Sequence, residues 1–177
     1  MNKNRLFTLT LILCLLALTA CSASNQGAET APTEAPVESA QAAEVGPYVT
    51  AQDDGSGSIV IDTAGITETA RYINYESGGS TIQLIAVRGS DGEVRVSLNP
   101  CQACTPSPKA YFVQDGSWFI CQNCMNAFSA DQIGLEHGGC NPMPIEEKTG
   151  ADGSISIPTA YLDQFSRNFA NWQGPTE

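Results

Sequence analysis

One histidine, His137, stands in a chain of 177 residues. It has no serine or cysteine partner in a recognisable nucleophile motif, which sets hydrolytic chemistry aside. Basic residues are scarce too: eight Lys and Arg against 19 Asp and Glu, a formal charge of −11. Nucleic-acid binding draws most of its affinity from Lys and Arg that neutralise phosphates, and no basic cluster exists to supply it. The same shortage excludes a polybasic membrane contact. The long apolar run at 6–18 is too short to span a bilayer comfortably. Between residues 22 and 47 large apolar side chains are nearly missing, and one stretch alone, after Pro158, carries a helical period.

What is present begins with a secretory pattern. Lys3 and Arg5 give residues 1–20 a positive start, the apolar run follows, and the segment closes on Leu18-Thr19-Ala20-Cys21. This exit resembles the lipobox of bacterial lipoproteins, which implies cleavage after Ala20, lipidation of Cys21 and an exported protein anchored on the extracytoplasmic face of a membrane. Cys14 is then discarded. Losing Lys3 and Arg5 leaves six basic residues against 19 acidic ones, a net of −13. Residues 21–47 are rich in Ala, Glu, Thr, Pro, Ser and Gln and cannot bury enough surface to offset their ordering entropy, so they read as the lipidated cysteine and its linker.

Residues 48–177 form the folded domain. Short alternating runs at 58–62, 70–75, 81–88 and 93–98 read as strands, separated by Glu76-Ser77-Gly78-Gly79 and Ser90-Asp91-Gly92. Further strands are expected at 110–114 and 118–121 around Asp115-Gly116, and at 154–157. Pro158 at a first-turn position, followed by Tyr161, Leu162, Phe165 and Phe169, predicts a short amphipathic helix ending near Trp172. The expected fold is all-β: an antiparallel meander with a rubredoxin-like or Rieske-like metal-binding knuckle pair and a short C-terminal helix.

Five cysteines fall in this domain. Four form a doubled pair, Cys101/Cys104 and Cys121/Cys124, each C-x2-C, with sixteen residues between the pairs. A two-residue spacer lets one turn present two thiolates to an ion, and two such turns complete a tetrahedral site. The hairpin expected over 110–121 brings the second pair back toward the first, and Pro106 and Pro108 stiffen the first knuckle. Disulfides are the rival reading in an exported chain, set against the odd number of cysteines. Four thiolates accept an iron–sulfur cluster, a single iron or zinc.

Around these pairs the sequence reads Cys121-Gln122-Asn123-Cys124-Met125-Asn126-Ala127-Phe128, then Ile133-Gly134, then Gly138-Gly139-Cys140-Asn141-Pro142-Met143-Pro144. With both pairs, these elements resemble the FtrD-like membrane iron-sulfur-containing protein family over roughly 59–161. The resemblance implies a membrane-associated iron or iron–sulfur protein found beside bacterial iron-uptake systems. Where that family has a small residue after the first pair, this chain has Thr105-Pro106, which touches loop shape and no ligand. The cysteine loops also have a faint likeness to Rieske domains, whose two histidine positions are cysteine here.

Cys140 sits in the family signature and reads as a fifth ligand or as a thiol that tunes the centre. His137, in the same glycine-rich loop, is a further candidate ligand beside the plainer reading of a surface histidine. Met125 and Met143 read as core filling or as thioether donors, and Phe128, Trp118 and Tyr111 as cover for the centre. The expected function is an electron or metal carrier rather than an enzyme, tethered to the membrane and partnered by an iron permease or a redox protein. A structural-zinc binding module and a thiol-disulfide redox protein are the alternatives.

Overall fold

The computed structural model describes residues 47–177. The signal at 1–20, Cys21 and the linker up to residue 46 lie outside the described residues.

Eleven strands follow one another among them: β1 (Tyr48–Ala51), β2 (Ser58–Asp62), β3 (Arg71–Ser77), β4 (Ser80–Arg88), β5 (Val94–Cys101), β6 (Phe112–Asp115), β7 (Trp118–Cys121), β8 (Ala127–Ser129), β9 (Pro142–Pro144), β10 (Thr149–Ala151) and β11 (Ser154–Pro158). Helix α1 (Thr159–Asp163) and a 3-10 turn at Ser166–Phe169 follow. The strands form a five-stranded sheet β1-β3-β4-β5-β9 and two three-stranded sheets, β10-β11-β2 and β6-β7-β8.

The meander is β3-β4-β5, antiparallel throughout. Its first turn is the two-residue loop Gly78-Gly79, whose φ of 56° and 85° place both residues in the left-handed region that a tight hairpin needs. The centre of the molecule is β4, where Ile82 to Val87 are all buried. Ile82, Leu84 and Ala86 face one core with Ile59 and Ile61 of β2, Ile157 of β11 and Leu162 of α1. Ile85 and Val87 face the other, with Phe112, Phe119, Cys101 and Cys121 from the cysteine hairpin. A strand covered on both faces reads as a continuous apolar run rather than an alternating one.

Gln83 interrupts that run because it belongs to a buried amide chain. Asn99 Nδ2 donates to Gln83 Oε1 at 2.6 Å, and Gln83 Nε2 donates to Asn74 Oδ1 at 2.8 Å and to Pro175 O at 2.8 Å. Asn74 Nδ2 donates to Thr176 O at 2.8 Å, and the backbone N–H of Phe112 donates to Asn99 Oδ1 at 2.7 Å. Every side-chain amide in the row has a partner, and the row ties the C-terminal tail to the start of the cysteine hairpin.

Three features differ from the sequence expectation. Strand β1 joins the meander in parallel, alongside β3, with Tyr48 stacked on Tyr72 at 5.3 Å between ring centroids. Strands β8, β9 and β10 are three residues each, too short to carry a period. The C-terminal helix stops at Asp163, and Pro158 is its N-cap rather than its first-turn residue. Ser166, Asn168 and Asn171 are weak helix formers, and packing of Phe165 on Tyr161 and of Trp172 on Phe169 replaces helical continuity.

Asn99→Ala leaves the Phe112 N–H and the Gln83 Oε1 buried without partners. Thermal or urea melts should show a loss of roughly 2–4 kcal/mol. A variant as stable as the parent would mean that the amide row carries no weight.

Candidate metal centre

Strand β5 runs straight into the first cysteine. Pro100 has no N–H for a ladder, and the pairing of β5 with β9 is irregular between Leu98 and Cys101, which re-aims the strand end before Cys101 meets Pro142. Cys101 N–H donates to Ala110 O at 3.0 Å and Gln122 N–H to Tyr111 O at 2.8 Å, so the first knuckle and the root of the second are stitched through the segment that opens β6. The hairpin β6-β7 pairs Phe112 with Cys121 and returns the second cysteine pair to the first.

The two knuckles are built alike. Thr105 N–H donates to Cys101 O at 3.0 Å, and Met125 N–H donates to Cys121 O at 2.9 Å, so each C-x2-C closes one turn. In the first, Thr105 Oγ1 adds a bond to Cys101 O at 2.8 Å. In the second, Met125 closes the turn at φ 63°, a left-handed conformation that costs a residue with a side chain about 1 kcal/mol. Ser107 Oγ donates to Asn123 Oδ1 at 2.7 Å and braces one knuckle against the other.

A third loop completes the site. Gly138 and Gly139, at φ 77° and 64°, turn the chain so that Cys140 points back, and Asn141 Nδ2 fixes the turn on Gly138 O at 2.6 Å. The loop is held by Gln102, the residue after Cys101. Its side-chain Oε1 accepts from Gly138 N–H at 2.7 Å, and its Nε2 donates to Glu136 O at 3.0 Å and Pro142 O at 3.1 Å. Backbone bonds from Gln102 N–H to Asn141 O and from Ala103 N–H to Gly139 O run beside it, at 2.9 and 3.0 Å.

Among the described residues, the sulfurs of Cys101, Cys104, Cys124 and Cys140 all lie within 4.8 Å of one another. A tetrahedral ion with metal–sulfur bonds of about 2.3 Å sets its sulfurs about 3.8 Å apart, so four sulfurs within 4.8 Å are near enough to share one ion. Cys124 and Cys140 lie 3.3 Å apart. Cys121 is fully buried beneath the group, with its Sγ 3.9 Å from that of Cys104. Cys101 is buried as well, while Cys104, Cys124 and Cys140 are half-buried and form the open edge. All five are free thiols. His137 stands apart, exposed, with Nε2 3.5 Å from Glu146 Oε1.

The neighbouring residues sort themselves by burial. Phe128 packs edge-on against Phe112 at 5.8 Å within the hydrophobic cluster that holds the cysteines. Trp118 is half exposed at the far end of β7, opposite Ser129, and gives the thiols no cover. Tyr111 packs on Trp172. Met143 fills the opposite core, and Met125 stands exposed beside Cys124. Gln102, Ser107 and Asn123 were not legible as site residues; a polar residue inside each C-x2-C spacer was the available signal for Gln102 and Asn123, and Ser107 had none.

A family model described as membrane iron-sulfur containing protein, FtrD-like, matches residues 47–169. The chain belongs to this family. No curated protein and no solved structure matches it. The FtrD-like family is described as membrane-associated, and no helix among the described residues is long and apolar enough to cross a membrane. Iron and iron–sulfur centres take soft thiolate ligands, and the four gathered side chains are thiols without a carboxylate or imidazole among them, so the donor set fits the group that the family description implies.

Protons compete for this site. Burial raises the Cys101 thiol well above its ordinary range and raises Cys104 as well, while the bond with Cys124 and burial raise Cys140. At Cys124 burial acts upward but is outweighed by the Asn126 backbone N–H and by the thiols of Cys140, Cys121 and Cys104, which together bring it down to about 7. Above neutrality Cys124 is already ionised and the three raised thiols still hold their protons. Metal binding must displace these, so log affinity should climb by about three units per pH unit between about pH 7.5 and 8.5. Competition titrations with zinc would read that slope, and a slope near one would mean that only one of the three protonated thiols gives up its proton to the metal.

Proposed function

We propose that this chain is an exported lipoprotein that carries electrons or metal ions at the outer face of a membrane, using an iron-containing centre held by Cys101, Cys104, Cys124 and Cys140. The observation that carries the reading is the gathering of four thiols from three separate loops at one spacing, with one edge open. Cys101 anchors the centre in the hydrophobic cluster, and Cys104, Cys124 and Cys140 meet the surface, where a partner can approach without a substrate cleft. Bound iron supplies a one-electron couple or a transferable ion. The protein's own contribution is to hold the thiols in register through the knuckle turns and to keep water from the inner side with Phe112, Phe119 and Ile133.

Cys21 supplies the attachment and residues 22–47 the linker. The Ala, Glu, Pro and Ser composition of this stretch suits a linker between the lipid anchor and the domain. The family description supports the membrane and the iron–sulfur chemistry. An iron permease or a redox protein of the same membrane is the expected partner, in keeping with the iron-uptake setting that the resemblance implies.

The one-ion spacing of the thiols favours a second reading, a structural zinc that stabilises the hairpin for protein binding. Metal and acid-labile sulfide analysis of the full chain, isolated without oxygen, separates the two. Iron, with or without sulfide, is expected. Stoichiometric zinc would contradict the carrier reading, and metal-free protein with Cys124 and Cys140 joined as a disulfide would make it a thiol redox protein.

A further inference from the structure

The loop that brings Cys140 to the centre has almost nothing of its own to hold it there. From Leu135 to Gly139 every residue is exposed, and between Ile133 and Pro142 the half-buried Cys140 alone packs against a core. The ion pair of His137 with Glu146 joins two exposed side chains and contributes little. What remains is the edge of the first knuckle: two backbone bonds from Gln102 and Ala103, and three from the Gln102 side chain.

Those three bonds use the amide in full. Oε1 takes one backbone N–H, and the two hydrogens of Nε2 reach two backbone carbonyls on either side of Cys140, at Glu136 and Pro142. Only a carboxamide offers an acceptor and two donors in this way: a carboxylate would face two carbonyls with no proton to give, and a lysine or arginine would face the Gly138 N–H with no acceptor. A glutamine placed between two metal-ligating cysteines of one knuckle thus reads the backbone of the loop that carries another.

We propose that Gln102 is a positioning residue that latches the 136–142 loop and so delivers Cys140 to the thiol group as its fourth ligand. This deepens the metal-centre reading and rests on it. Without the latch, the knuckles still present Cys101, Cys104 and Cys124, but the fourth thiol is left on an exposed glycine loop. The centre is then three-thiolate and open to an outside ligand.

The test uses the full chain in detergent, reduced and metal-free, with cobalt(II) as the probe, because the sulfur-to-cobalt charge-transfer band grows with the number of thiolates bound. Gln102→Ala, Gln102→Glu and Cys140→Ser are compared with the parent. Gln102→Ala should match Cys140→Ser in band intensity and bind cobalt about 10–100-fold more weakly than the parent, the usual loss when a residue that orients a ligand is removed. Gln102→Glu, of the same size, should fail alike. In parallel, alkylation mapped by mass spectrometry on the metal-free protein should quicken at Cys140 in Gln102→Ala and leave buried Cys101 and Cys121 protected. A parent-like cobalt band and affinity in Gln102→Ala would overturn the proposal, as would equal quickening at all five thiols, which reports general loosening. If the parent itself bound no cobalt, the metal reading would fall, and the alkylation pattern alone would decide whether Gln102 holds the loop.

Discussion

Strand β4 has to be covered on both faces, and the rest of the architecture follows from that requirement. Six consecutive residues from Ile82 to Val87 are buried, and a strand so apolar is unstable beside water on either side. On one face the cover is ordinary: the sheet β10-β11-β2 and α1 contribute Ile59, Ile61, Ile157 and Leu162. On the other face the cover is the cysteine hairpin itself. Phe112 and Phe119, both fully buried, each contribute about 1.5–3 kcal/mol by leaving water, and they hold β6 and β7 against the meander. Metal site and hydrophobic core are therefore one object on that side of the molecule, and Cys101 and Cys121 are core residues as much as they are thiols.

That arrangement explains how four sulfurs meet without a disulfide. The strand ends of β5 and β7 are fixed by burial, so Cys101 and Cys121 arrive at set positions, and each knuckle turn then carries its second cysteine outward to the surface. The amide row of Asn74, Gln83 and Asn99 keeps the sheet and the hairpin in a single register, because each side-chain amide has one arrangement that satisfies its neighbours. The Cys140 loop reaches the group from outside, held by hydrogen bonds to the first knuckle and by the half-buried Cys140 itself. A site composed in this way has a buried inner side and a half-exposed outer one, which suits the proposed carrier role.

Much of this was legible in the residues. Strands β2 and β7 fall at the expected 58–62 and 118–121, because alternation and turn residues mark them from both ends. The doubled C-x2-C told that two turns would face each other, and the expected hairpin between them is there. The parallel strand β1 was not legible, since four residues of Tyr, Val, Thr and Ala do not say which edge they will join. Nor was the division of labour among the five cysteines. Spacing pairs Cys121 with Cys124; in the fold Cys121 is buried with β7, 3.9 Å from Cys104, and Cys140 lies within 4.8 Å of Cys101, Cys104 and Cys124, on a loop bonded to Gln102 that no pattern of periods reveals.

We propose that the centre is built from Cys101, Cys104, Cys124 and Cys140, with Cys121 serving the core beneath it. Metal affinity and apo-protein stability, measured side by side for Cys140→Ser and Cys121→Ser, test it most directly. Cys140→Ser should weaken metal binding and leave the metal-free melt near that of the parent, whereas Cys121→Ser should lower the metal-free melt and still bind metal through the other four thiols. Loss of metal binding in Cys121→Ser with an unchanged melt, together with parent-like binding in Cys140→Ser, would contradict it.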